Sequence, residues 1–373
     1  MTTGHREVET KYDVDEATAI PELADLPDVV TVEGPRAFHL EAVYFDTADL
    51  ALGRHGITLR RRSGGDDEGW HLKLPVDGAR QEIHAPLGAG TRTPPAALRR
   101  IVRGVVRERT IGPVASVETE RTTASLLDAD EELLAEFCDD RVVARRLGAA
   151  GDEQRSWREW ELEEHTARRR LTRAADARMR KAGARVAGHR SKFGRIMQVD
   201  VAVRDRQATR KHASEHELLG RHVSTVRAEL HRLDPLARAD VPDAVHQTRV
   251  ACRTLRATLA TFETSFDTSR TEPVREELQW LGDALGRPRD LEVLRARLGT
   301  LVRAESPSAV RGRPGPWIDA QLRTAHRAAH REALDAMTSD RYFALVDTLD
   351  SWRTDPPWAD LRDRPATKRL PKA

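Results

Sequence analysis

Glu7-Val8-Glu9-Thr10-Lys11, inside the run from His5 to Asp15, alternates ionic with non-ionic side chains. A β-strand puts residues i, i+2 and i+4 on one face. Two carboxylates and an ammonium therefore share a face, while Val8, Thr10 and Tyr12 take the other. A half-buried strand ordinarily shows apolar in and polar out. A face carrying both charge signs is a different pattern.

The pattern spreads outward from this strand. Seven further strands are predicted at 38–46, 56–62, 69–76, 79–85, 115–127, 132–144 and 156–166. Turn signals at Gly64-Gly65, Asp77-Gly78 and Asp128-Ala129-Asp130 separate several of them. Ionic faces recur as Arg60/Arg62, His71/Lys73, Arg80/Glu82, Glu136/Asp140 and Glu159/Glu161/Glu163. The facing sets are apolar: Ile57/Leu59, Leu72/Leu74, and Trp157/Trp160/Leu162 if the chain kinks near Arg158. Helices are predicted from Thr93-Pro94-Pro95 to Arg107 and over 173–188. One arrangement that fits is an exposed sheet with a solvated charged face. The other is an eight-stranded barrel with a polar lumen, wide enough for one small ligand. A lumen of both signs calls for a partner of both signs, and a polyphosphate with divalent metal is one. Arg and Lys suit phosphate oxygens, and carboxylates suit hard cations such as Mg²⁺ or Mn²⁺.

The order of motifs resembles the CYTH domain, the triphosphate tunnel metalloenzyme fold. Glu7-Val8-Glu9-Thr10-Lys11 matches its ExExK signature. Tyr44-Phe45-Asp46-Thr47, Leu59-Arg60-Arg61-Arg62, Trp70-His71-Leu72-Lys73-Leu74-Pro75, Arg80-Gln81-Glu82, Trp157 to Glu163, and Ser191-Lys192 follow in the family's order. The resemblance covers roughly residues 5–200 and implies an α+β domain built on an eight-stranded antiparallel β-tunnel. It implies metal, Mg²⁺ or Mn²⁺, on Glu7 and Glu9 from one wall. Glu161 and Glu163 would add to this from the opposite wall, with Asp140 and Glu159 nearby. It implies catalytic roles for Lys11 and Glu159, and a phosphate path along Arg60, Arg62, Lys73, Arg80, Arg121 and Lys192. Members of the family hydrolyse inorganic triphosphate, thiamine triphosphate or RNA 5′-triphosphates, or cyclise ATP. His71 reads as a wall residue rather than a metal ligand.

One strand departs from the family's basic pattern, reading Glu118-Thr119-Glu120-Arg121-Thr122-Thr123. Two registers are open: Arg121 inward with Thr119 and Thr123, or the two glutamates inward. An anion-binding lumen favours the first.

Alternation ends near residue 205, dividing the chain into 1–205 and 206–373. The second part reads as an all-α helical bundle, with helices near 213–234, 242–265, 272–286, 289–304, 316–337 and 340–352. Asp234-Pro235, Pro242, Pro288 and Pro307 act as breakers. His246, Arg249, Arg253 and Arg256 fall on one stripe of the second helix, apart from Ala251, Leu255, Leu259 and Phe262. No acid lies between Asp243 and Glu263 to soften that stripe. The stretch from Ala244 to Phe262 resembles the HxxRVxxRRLR helix of the CHAD domain, a polyphosphate-binding helical module. The stretch from Trp280 to Leu298 resembles its LGxxRDxDV signature, with Arg289 and Asp290 in place and Glu292 for the last Asp. Thr254 stands where the family has Arg. The CHAD-like part corresponds to only the first of two pseudo-symmetric helical units; either the chain is a truncation of a longer protein, or a homodimer through this part would supply the second.

Composition narrows the function classes. Lys and Arg number 62 against 60 Asp and Glu among 373 residues, a net charge of +2. Residues 1–205 carry −3 and residues 206–373 carry +5, which points the second part toward an anionic partner. Aromatic residues are 5 %, and no basic strand is interleaved with aromatics, so nucleic acid is an unlikely partner. Cys138 and Cys252 stand alone as core thiols of a reducing compartment. No apolar run reaches the roughly 18 residues that a membrane span requires, so the expected location is cytoplasmic. The leading expectation is a metal-dependent triphosphatase or short-chain polyphosphatase, with inorganic triphosphate or polyphosphate as partner. The alternative is a non-catalytic polyphosphate-binding or targeting protein.

Overall fold

A computed structural model describes residues 3–76, 79–88, 90, 92–148, 153–166, 168–189, 191–199, 213–305 and 314–359, with side chains from residue 8 onward. The chain forms two compact units, Met1–Arg100 with Val106–Val203, and Ile101–Val105 with Arg204–Ala373.

The first unit is built on β1 (Thr3–Val14), β2 (Thr31–Asp46), β3 (Thr58–Ser63), β4 (Gly69–Val76), β5 (Ala79–Ala85), β6 (Gly112–Leu127), β7 (Leu133–Arg146), β8 (Gln154–Glu164) and β9 (Arg185–Val186). Its helices are α1 (Ala51–Arg54), α2 (Ala96–Ile101), α4 (Arg169–Lys181) and α5 (Lys192–Met197), with α3 (Arg103–Val106) following α2 in the chain. The sheet order is β5-β4-β3-β2-β6-β7-β8-β1-β9, and β5 also pairs with β1. That pairing closes eight antiparallel strands into a ring, and β9 is a two-residue addition against Tyr12 and Asp13.

Side-chain alternation sorts the ring's two faces. Tyr12, Phe137, Trp160 and Leu162 point outward and are buried under Leu171, Ala175 and Met179 of α4. The inward face changes along the barrel. At one end it is apolar: Ala42, Tyr44, Val117, Val142 and Trp157 pack around Phe193, Ile196 and Met197 of α5. Phe193 stacks on Tyr44 at 5.3 Å. Beyond this apolar plug the inward residues are ionic.

Three expectations are corrected. Trp157 belongs to the inward set with Glu159, Glu161 and Glu163; β8 pairs without interruption with β7, so no kink occurs at Arg158. Arg158 instead points outward and donates to both oxygens of Asp139, at 2.8 and 2.9 Å. The helix predicted over 173–188 stops at Lys181. Gly183, at φ 102°, turns the chain back, with Ala184 N donating to Met179 O and Gly183 N to Arg180 O, and this frees 185–186 to join the sheet. β2 begins at Thr31 rather than 38, because a register shift between Glu33 and Arg36 carries pairing past Gly34-Pro35. Gly34, at φ 125°, has no room for a side chain: a Cβ would lie 2.7 Å from Thr123 O.

The described part of the second unit is helical: α6 (Glu215–Arg238), α7 (Ala244–Thr261), α8 (Thr268–Ala284), α9 (Gly286–Ala304), α10 (Pro314–Thr338) and α11 (Asp340–Ser351). Ser214 and Ser339 cap α6 and α11 by accepting from Glu217 N and Tyr342 N. Leu219 and Val223, Leu255 and Leu259, Leu278, and Leu345 are among its buried residues. Pro235 does not end α6, contrary to expectation. Asp234, beside it, is buried and accepts from Arg238 Nε at 2.8 Å and from Tyr342 Oη at 2.5 Å, which holds the last turn against α11. Cys138 and Cys252 are both buried and free. Among the described residues, no helix is long and apolar enough to cross a membrane.

Candidate active site

Inside the ionic part of the ring lies a cavity of about 510 Å³. Among the described residues, eight Lys or Arg and seven Asp or Glu line it. Of the residues expected from sequence, Glu9, Lys11, Arg60, Arg62, Lys73, Arg80, Arg121, Lys192, Glu161 and Glu163 reach its wall. Glu7 is fixed by its backbone opposite Arg80; its side chain lies outside the described residues. Asp140 and Glu159 are buried beside the cavity and are not part of its lining.

The glutamates of β1 and β8 do not face each other across the lumen, as expected, but stand side by side. Closure makes the two strands neighbours, with Glu9 opposite Glu163 and Lys11 opposite Glu161 in register. Arg121 takes the inward register. It donates to Asp140 through Nε at 2.7 Å and Nη2 at 2.6 Å, and to Glu161 at 2.6 Å. Glu118 and Glu120 are exposed, and Glu120 pairs with His39 at 2.6 Å.

Asp140, Glu159 and Glu161 bring carboxylate oxygens within 4.8 Å of one another and are the group among the described residues able to hold a metal. Lys192 Nζ lies 2.7 Å from Asp140, 2.7 Å from Glu159 and 2.8 Å from Glu161. Lys11 Nζ pairs with Glu161 and lies 3.0 Å from Glu9. Burial disfavours every one of these charges, yet the pairing overcomes it. Lys11 is raised by Glu161 and Glu9, and Lys192 by the three carboxylates. Burial would push Glu9 up, but Lys11 and Lys73 bring it down to about 2. Asp140 and Glu161 are also held below the usual carboxylate range despite burial, by Lys192 and Arg121 and, for Glu161, by Lys11 first.

The β3–β5 wall is more basic. Burial, Arg60 and Arg121 push Arg62 down to about 9. Burial, with Arg60 and Arg62, lowers His71 to about 3 in spite of its 2.6 Å bond to Glu82. His71 lines the wall with both ring nitrogens on acceptors, its Nε2 lying 2.9 Å from Asp67 O. Glu82 is lowered although burial opposes it, by Lys73, His71 and Arg60. Arg36, Asp66, Asp67 and Glu82 also line the cavity and were not among the expected site residues. Glu82 shares the alternation of Arg80 and is legible from it; Arg36 lies in the first part of β2, before the strand predicted from residue 38.

In the helical unit, His246, Arg249, Arg253 and Arg256 lie along α7, and acids come from α9 rather than from α7 itself. Arg249 is 3.9 Å from Asp290. Arg256 donates to Gln279 at 2.8 Å. Arg289 is engaged by Asp243 at 3.3 Å and Glu292 at 2.9 Å. Arg253 is exposed.

A closed antiparallel ring, with ExExK on its first strand beside ExE on its last and a lumen of mixed charge, defines a CYTH-type tunnel. The chain belongs to the proteins that join a CYTH domain, matched over residues 5–175, to a CHAD domain, matched over residues 218–373. It is 39 % identical over 360 residues to the uncharacterized protein Rv2226 of Mycobacterium tuberculosis, covering 93 % of this chain and 70 % of that one. Among solved structures it is similar to a candidate adenylate cyclase of Bacillus halodurans, with 16 % identity, a TM-score of 0.37, and 52 % of this chain and 97 % of that one covered. It is also similar to HpAC1 of Hippeastrum, which shows a dominant triphosphatase activity, with 16 % identity, a TM-score of 0.30, and 52 % and 95 % covered.

Proposed function

We propose that the barrel hydrolyses a phosphoanhydride bond of inorganic triphosphate or short polyphosphate with the help of Mg²⁺ or Mn²⁺, and that the helical unit binds polyphosphate. The observation that carries this reading is the cavity wall, where eight cationic and seven anionic side chains converge. Three clustered carboxylates offer hard oxygen donors, and Glu9 and Glu163 add two more on the wall. A bound divalent ion would supply charge neutralisation on the phosphoryl oxygens. Arg60, Arg62, Lys73 and Arg80 bind and orient the anion from the basic wall, while Lys11, Arg121 and Lys192 meet it from the acidic one. Glu159 lies behind Lys192 rather than on the wall, where it would offer a metal donor and positions Lys192. On α7, the stripe of His246, Arg249, Arg253 and Arg256, with Arg289 beside it, is the polyphosphate surface. Exposed Val293, Leu294, Leu301 and Trp317 support self-association through this unit, and the two free buried thiols support a cytoplasmic location.

The test is phosphate release from inorganic triphosphate with Mg²⁺ or Mn²⁺ by wild type and by Glu9→Gln. The substitution removes a ligand charge at nearly constant shape, and an approximately 100-fold loss is expected. Absence of release by wild type with either metal would sink the catalytic reading. A second reading, binding without turnover, is favoured by one observation: the acidic triad is already satisfied by the protein's own cations.

A further inference from the structure

The cluster of carboxylates suited to a metal is not an open acidic pocket. Lys192 places its ammonium within 2.7 to 2.8 Å of all three members. Lys11 and Arg121 complete the set through Glu161 and Asp140. Lys11 also lies 3.0 Å from Glu9, which Arg80 approaches to 4.0 Å, so the carboxylates are matched by cations in a buried site. A divalent ion added to this arrangement would leave it with two uncompensated positive charges in a medium that solvates them poorly. Free metal should therefore bind weakly.

An entering polyanion changes the balance. Lys11, Arg121 and Lys192 all line the cavity, so each can turn from a carboxylate to a phosphate oxygen. The opposite wall already favours an anion: Arg62 is 6 % exposed and pairs with Asp67 through Nη2, but its Nε has no acceptor among the described residues. The base of Lys192 cannot move far, because Ser191 caps α5 and Phe193, Ile196 and Met197 anchor it in the apolar end. Exchange is then a change of side-chain rotamer about a fixed helix.

We propose that Lys192 is an exchangeable counter-cation, which holds Asp140, Glu159 and Glu161 in the free protein and yields them to a divalent metal when a polyphosphate anion enters the cavity. The inference rests on reading the cavity as a metal and polyphosphate site, and it adds that the two ligands bind with positive coupling, each tightening the other equally.

The experiment is a titration of Mn²⁺ into the full chain without any anion, followed by calorimetry or by the electron paramagnetic resonance of free Mn²⁺. Lys192→Met should bind Mn²⁺ at least tenfold more tightly than wild type, and Lys192→Arg, which keeps the charge, should not. Equal or weaker binding by Lys192→Met overturns the proposal. Should that variant fail to fold, wild type decides. Its affinity for imidotriphosphate should rise at least tenfold when Mn²⁺ is supplied, and an unchanged affinity overturns the exchange. If wild type hydrolyses triphosphate while Lys192→Met gains no Mn²⁺ affinity, the exchange is wrong and the triphosphatase reading stands. If Lys192→Met gains affinity although wild type releases no phosphate, the exchange stands and the protein is a metal-coupled binder.

Discussion

Lys11 stands directly opposite Glu161 where the first and last long strands of the barrel meet, and the two side chains form an ion pair in the cavity wall. Glu161 also accepts from Arg121 and Lys192, so removal of Lys11 leaves it partly satisfied. Lys11→Met should then cost the fold about 1–3 kcal/mol, read as a shift of the urea midpoint. Under conditions where the variant is folded, phosphate release from triphosphate should fall about 100-fold, since a cation at the reacting anion is lost. A variant as active as wild type would remove Lys11 from the site.

The lowered value of His71 sets the sign of an expected pH dependence in the first unit. Its folded value, about 3, lies below the ordinary 6.5. Between these values the unfolded chain binds a proton that the folded one refuses, so stability falls as pH drops below 6.5. At pH 5 the loss should be about 2 kcal/mol. Glu9 acts in the same direction at lower pH, its stabilising charge being lost between about 4.5 and about 2. His71→Asn keeps a polar partner for Glu82 and should abolish the first loss while leaving the second. Parallel denaturation curves at pH 7 and pH 5 for both proteins would check this, and equal acid sensitivity would count against it.

The strands and the ionic lumen were legible because side-chain direction alternates with period two, and charge marks it wherever the lumen is wet. Charge does not mark the face of Trp157: at the closed end the lumen is filled by α5, so inward residues there are as apolar as outward ones. The neighbourhood of β1 and β8 left no local signal, because ring closure joins residues about 150 positions apart. That is why Glu161 and Glu163 were expected across the lumen from Glu9 rather than beside it. The pairing of Lys192 with the acidic triad was illegible for a related reason, since a lysine suited to phosphate is equally suited to carboxylates. Pro235 reads as a helix end because the contacts of Asp234 with Tyr342 and of Arg238 with Met337 O, which help hold the final turn, come from residues distant in sequence.

Gly53 of α1 and Phe193 of α5 are coupled by space. A Cβ on Gly53 would lie 2.9 Å from Phe193 Cε1. Phe193→Ala should destabilise the barrel by about 3–5 kcal/mol, because it empties the apolar end beneath Tyr44. Gly53→Ala should be harmful in the wild-type background and much less so beside Phe193→Ala. The double-mutant cycle in urea reads that difference, and simple additivity would show that the plug yields elsewhere.

On α7 the charges differ in how far the protein has already engaged them. Arg289 is held by Asp243 and Glu292, whereas Arg249 is 3.9 Å from Asp290 and Arg253 is exposed. A polyphosphate chain gains most from cations that are not already neutralised. Replacing Arg249, Arg253 and Arg256 together by Ala should therefore weaken polyphosphate binding about tenfold at low ionic strength, each exposed contact contributing about 0.2–1 kcal/mol. Arg289→Ala should cost less than a third of that free energy. Added salt should reduce wild-type binding and narrow the gap to the triple variant, because these contacts are screened. Calorimetry with polyphosphate of defined length, at two salt concentrations, measures all three effects. A triple variant that binds like wild type would move the polyphosphate surface away from α7.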